Sequence, residues 1–114
     1  MLTLRLYMAQ RLTALIMAPL TIGHLAVMIY AVQGGLSVAE ILARTQGSFA
    51  WFLFYGSFVL AVSVHAAIGI RVILYEWLGV KGVMLAGLSW SLCALLMGLG
   101  GQAVWAVTFA GAGA

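Results

Sequence analysis

Residues 83–109, VMLAGLSWSLCALLMGLGGQAVWAVTF, run without a single formal charge. A helix rises 1.5 Å per residue, so this stretch is more than long enough for the ~30 Å hydrocarbon core of a bilayer. It lacks the charged face that an amphipathic helix of a soluble domain turns to water. The stretch therefore reads as a membrane span. Working back along the chain, a second run covers about 49–74. It opens with Phe49, Trp51, Phe52, Phe54 and Tyr55 and is followed by Tyr75-Glu76-Trp77, aromatic ends that suit the two bilayer interfaces. A first run, about 12–32, follows Arg5 and Arg11 and stops at Gln33-Gly34-Gly35. Pro19 lies inside it, which a membrane helix tolerates where neighbours satisfy the freed carbonyl.

Composition supports the same class. Of 114 residues, 66% are hydrophobic and 6% charged, with mean hydropathy +1.20. A soluble domain carries about a quarter of its residues as charges. Lipid must cover what this chain cannot present to water. The expected fold is an all-α integral membrane protein, one domain over residues 1–114 with three transmembrane helices and no room for a soluble catalytic module. Between the first two spans, Ser37 and Glu40 have the spacing of a capping box, which predicts a short helix in the bilayer interface.

The net charge of +3 makes no nucleic-acid footprint, because five basic residues are spread along the chain. They read as topology signals. Arg5 and Arg11 precede the first span, and Arg71 and Lys81 flank the turn between the second and third. With three spans those two regions share a side, while the opposite side holds only Arg44. The positive-inside rule then puts the N-terminus in the cytoplasm. Met1 to Gln10 lacks the apolar segment and small-residue cleavage site of a signal peptide, so an uncleaved chain is expected. Cys93, inside an apolar run, is expected to be a small core residue.

Two histidines, His24 and His65, fall inside spans, where ionisable groups are costly and seldom face lipid. A neutral imidazole is an axial ligand for haem iron. At 100° per residue, His65 shares a face with Ala61, Ile68, Gly69, Val72 and Glu76. The glycine one turn below leaves space beside the ring for a flat macrocycle. Arg71 points to another face, about 9 Å nearer the cytoplasm, where it can meet a propionate or a quinone oxygen. The competing reading is a hydrogen-bonded structural histidine. On the first span, Gln10, Thr13, Thr21 and His24 form a polar stripe that must face protein, cofactor or water. For His24, haem contact and a helix–helix hydrogen bond stand as equal alternatives. The third span carries small residues at Gly87, Ser91, Ala94, Gly98 and Gly101 on one face, which predicts close packing on another helix of this chain or of a partner.

These residues resemble a known family. His65-Ala-Ala-Ile-Gly69-Ile-Arg71-Val-Ile-Leu-Tyr-Glu76 is similar to the H-x-x-x-G-x-R-x-x-x-x-[DE] signature of the cytochrome b anchor subunits of succinate dehydrogenase and fumarate reductase. Gln10-Arg11-Leu12-Thr13-Ala14 looks like the [HQ]-R-x-[ST]-[GA] element that opens their first helix. The resemblance covers roughly residues 9–81, and the third span matches in character only.

The resemblance implies that His65 is an axial ligand of haem b and that Arg71 contacts a propionate. It places Arg11 and Thr13 near a ubiquinone or menaquinone site at the cytoplasmic face of a bacterial inner membrane. Glu76 matches the family's acidic residue near that pocket, and Trp77 lies where an aromatic residue lines it. Tyr7 stands where several members have a quinone-binding serine, so a hydroxyl remains but its position differs. His24 resembles the first-helix histidine of two-haem anchors, which makes it a second candidate iron ligand. Those anchors are longer and supply four histidines, so a second haem here would require matching ligands from a partner. The second axial ligand beside His65 could come from another anchor chain, a second copy or His24 itself. The implied partners are an iron–sulfur subunit, a flavoprotein subunit where succinate is oxidised, and a second anchor chain. Electrons pass from succinate through iron–sulfur clusters to the quinone, beside the haem, with Glu76 a candidate proton source. Two rival classes remain: a small multi-helix transporter, whose hallmark carboxylate deep in the membrane is missing here, and a haem-free structural membrane subunit.

Overall fold

In the computed structural model, which describes residues 3–110, the chain is all-helical. α1 spans Leu4–Gln33, α2 Val38–Thr45, α3 Phe49–Leu78 and α4 Gly82–Thr108, with no strand among the described residues. α1, α3 and α4 are each long and apolar enough to cross a membrane, and the chain is a multi-pass membrane protein. The 30 residues of α1 and of α3 give each a length of about 45 Å, matching the 47 Å long axis of the molecule.

The sequence fixes where three of the helices begin. Thr3, Ser37 and Ser48 are N-caps whose hydroxyls accept from the backbone N–H of Leu6, Glu40 and Trp51. Each satisfies a donor that the first turn leaves unpaired. The Thr3 cap starts α1 eight residues before the apolar run, so Arg5 and Arg11 lie on helix, not ahead of it. α3 ends on Gly79 in the left-handed region (φ 68), and the Val80 N–H closes back on the Leu74 carbonyl. That tight stop reverses the chain into α4.

α3 is the middle of the bundle, packed on one side by α1 and on the other by α4. Ala61, Ser63, Ala67 and Ile68 are its buried residues, and only Thr13 is buried on α1. α4 lies close on α3 at Gly100, where an added Cβ would lie 2.5 Å from a Val59 methyl. The expected small-residue stripe plays no part in this. Gly87, Ser91, Ala94, Gly98 and Gly101 are all exposed, and nothing lies within 4 Å of a Cβ placed at any of the three glycines. The inward face of α4 is instead Leu85, Ser89, Cys93, Val104 and Thr108.

α2 closes one end of the bundle. Gln46 donates from its side chain to the Ala106 carbonyl at 2.8 Å, and the Gly47 N–H reaches the Thr108 carbonyl. These bonds satisfy carbonyls that the last turn of α4 leaves open. Arg44 stacks over Tyr30 and Trp51, its guanidinium carbon 5.3 and 5.7 Å from their ring centres, which ties α2 to α1 and α3 by cation–π attraction. Arg5, Arg11, Arg71 and Lys81 lie at the opposite end.

Candidate functional site

The two histidines occupy different surroundings at different depths. His65 faces α1. Its Nδ1 lies 3.2 Å from the Thr13 hydroxyl, the one hydrogen bond the ring makes among the described residues. The same hydroxyl oxygen is 2.8 Å from the Ala9 carbonyl and 3.0 Å from that of Gln10. Thr13 is 9% exposed, so this polar knot is sealed between the helices. Beside it, His65, Gln10 and Arg11 line a cavity of about 660 Å³ with Met8, Leu12, Ala14 and Leu15. A Cβ at Gly69 would meet only the Gln10 amide, at 3.7 Å. The Gln10 side-chain oxygen is buried there without a hydrogen-bond partner.

His24 sits eleven residues beyond Thr13 on α1, about 16 Å further along the axis. Its ring is wedged among aromatic rings of α3, with centroids 5.2 Å from Phe58 and 6.2 Å from Tyr55. It lines a chamber of about 320 Å³ bounded by all four helices, with Thr45 of α2 and Gly100 and Val104 of α4 on its walls. Thr13 holds His65 near its own depth, so His24 and His65 are too far apart to share one metal ion. Thr21, the remaining member of the polar stripe, is exposed.

Arg71 lines neither of these cavities. It lies with Arg5 in a third, of about 530 Å³, walled by Ala67, Ile68, Ser89, Trp90 and Cys93. The Arg71 Nε is buried and unpartnered. Arg5 carried only a topology signal in the sequence. Its place beside Arg71 follows from antiparallel packing, which brings the start of α1 to the end of α3. Tyr7 and Arg11 are exposed one turn apart on α1, joined by a 3.4 Å hydrogen bond from guanidinium to phenol oxygen. Glu76 and Trp77 are also exposed, Trp77 to 82%, and both stand outside the three cavities. Of the two rings against His24, Tyr55 was expected only as an interfacial aromatic and Phe58 was not singled out by sequence reasoning. Their spacing from the start of α3 gave no sign of which helix they would meet.

The family model of the succinate dehydrogenase/fumarate reductase transmembrane subunit matches residues 1–101. This chain belongs to that family. The match runs from the start of the chain through most of α4, well beyond the two motifs. Neither a curated protein nor a solved structure matches the chain significantly. As a transmembrane subunit of these complexes it works beside catalytic subunits, and its residues can be tested against the needs of a haem. An axial histidine needs one nitrogen free and open space beside the ring. His65 offers both: Thr13 engages Nδ1, and the cavity with its orphaned Gln10 oxygen adjoins the ring. The residues fit the group.

Proposed function

We propose that this chain is the anchor subunit of a succinate:quinone oxidoreductase, and that it holds haem b through His65 and helps form a quinone site at the arginine end. The observation that carries this reading is the His65 environment. A buried hydroxyl takes one ring nitrogen, and the same ring lines an open cleft of about 660 Å³ beside Gln10 and Arg11, inside a chain of the right family. A cofactor in that cleft would give the ring's second nitrogen a partner, which no protein group among the described residues supplies.

Haem b, when bound, supplies a one-electron carrier beside the quinone route. The chain's own residues bind and orient. His65 supplies one axial nitrogen, and Gln10 offers a polar edge to the same cavity. Arg71 and Arg5 place two permanent cations in a separate cavity, where a quinone oxygen can be met. Arg11 and Tyr7 stand at the same end, at a surface open to the iron–sulfur subunit, which in turn carries the flavoprotein. Glu76 is an exposed carboxylate suited to passing protons between water and a bound quinone, and Trp77 offers an apolar ring to it. The surplus of Lys and Arg makes this end cytoplasmic in a bacterial inner membrane. The second axial ligand comes from a partner anchor chain, because His24 is too distant to supply it.

The test is a reduced-minus-oxidised spectrum of the purified complex. A haem b band present in the wild type and lost in His65→Ala supports the reading. Its absence from the intact wild-type complex overturns the haem assignment.

A further inference from the structure

We propose that Thr13 is a positioning residue that holds His65 as the Nδ1-protonated tautomer, so that Nε2 carries the lone pair offered to iron. The inference rests on the reading of His65 as the haem ligand. It follows from proton accounting at one oxygen. A threonine hydroxyl has a single proton and two lone pairs. The Thr13 oxygen lies 2.8 and 3.0 Å from the Ala9 and Gln10 carbonyls, both of which can only accept, and 3.2 Å from His65 Nδ1. The two carbonyls are nearer than the ring and share the proton. What the oxygen has left is acceptor capacity, so the hydrogen on the His65 contact belongs to Nδ1. A neutral imidazole has one N–H, and Nε2 is therefore bare.

The arrangement is also rigid. Thr13 is β-branched, with few χ1 choices on a helix, and its hydroxyl is bonded back to its own turn. Its burial against α3 limits competition from water. α1 thus carries both halves of the His65 setting: Thr13 grips one nitrogen while Gln10, one turn earlier, borders the cavity beside the ring. A hydrogen bond accepted from the far nitrogen of a ligating histidine fixes ring orientation and raises ligand basicity. That favours the more positively charged ferric iron.

The experiment compares wild type, Thr13→Val and Thr13→Ser in the purified complex, with His65→Ala alongside. Valine keeps the shape and removes the acceptor, whereas serine keeps the hydroxyl. The readouts are haem loss to an apo-globin acceptor, the ferric-to-ferrous ratio at a fixed redox poise, and the low-spin ferric EPR signal. Outer-shell partners of ligating histidines typically carry about 10–100-fold, and a neutral hydroxyl belongs at the low end. Thr13→Val should therefore release haem about tenfold faster, shift the ratio toward ferrous and alter the EPR signal, with Thr13→Ser restoring all three. If Thr13→Val matches the wild type while His65→Ala has lost its haem, the Thr13 assignment is wrong and the ligand assignment stands. If Thr13→Ser behaves as badly as Thr13→Val, packing matters at this position and the hydrogen bond does not. Haem retained in His65→Ala overturns both.

Discussion

The two halves of the bundle each hold a half-buried histidine, and they treat it in opposite ways. At the arginine end, His65 is gripped by a hydroxyl and faces a cavity on the seam between α1 and α3. At the α2 end, His24 lies against two aromatic rings of α3 in an open cleft lined by all four helices, and it makes no hydrogen bond among the described residues. An imidazole held through one nitrogen is oriented for a directional job at the other. One held by ring contacts on its flanks has neither nitrogen engaged by a protein partner among the described residues. The comparison teaches that two histidines within spans of one chain differ in what orients the ring, a hydroxyl for His65 and aromatic neighbours for His24.

The sharpest way to break this contrast is to exchange the fates of the two histidines. His65→Ala should remove the haem b band from the purified complex. His24→Phe, which keeps a planar ring, should leave haem per complex unchanged. A drop in haem content for His24→Phe would place a second haem at the α2 end. Next in size is the tight contact between Gly100 and Val59 on the wall of the His24 cleft. Gly100→Val should destabilise the bundle by about 1–3 kcal/mol through overpacking against Val59, read as thermal unfolding in detergent. Gly98→Val, two residues away with nothing in reach, should unfold with the parent. Equal losses for the two would contradict the helix faces described above.

A smaller effect is expected where α2 is tied down. Arg44→Ala removes two cation–π contacts of about 0.5–1 kcal/mol each. Amide exchange should then speed up in α2 while α3 near His65 keeps its protection. Smallest of all, His24→Phe should cost less than about 1.5 kcal/mol, as a nearly volume-conserving change in an apolar surrounding does. A larger cost would reveal a polar partner for His24 that the aromatic cage does not provide.

Much of the fold was legible because it rests on sums along the chain. Charge-free length decides a span, capping hydroxyls decide where a helix starts, and counts of Lys and Arg group the termini of the spans. Ser37 caps α2 as the capping-box spacing requires. The stripe on α1 was legible in part: Gln10, Thr13 and His24 do face protein, while Thr21 lies just off the seam and is exposed. The face of α4 was not legible. In a water-soluble helix the polar side marks the outside, but α4 is apolar all round, and its small residues could equally have faced in or out. They face out.

By itself the sequence determined that three apolar helices cross a membrane with their basic residues gathered at one end, and that the chain carries the motifs of its family. These properties depend on composition and local spacing, which no packing can undo. Tertiary structure alone decided that Thr13 meets His65 across 52 residues of sequence, that Arg5 joins Arg71, and that His24 stands a separate depth away. Those pairings depend on the register of one helix against another. In a chain that is apolar on every side, register is set by how side chains interlock, not by any pattern a single helix displays.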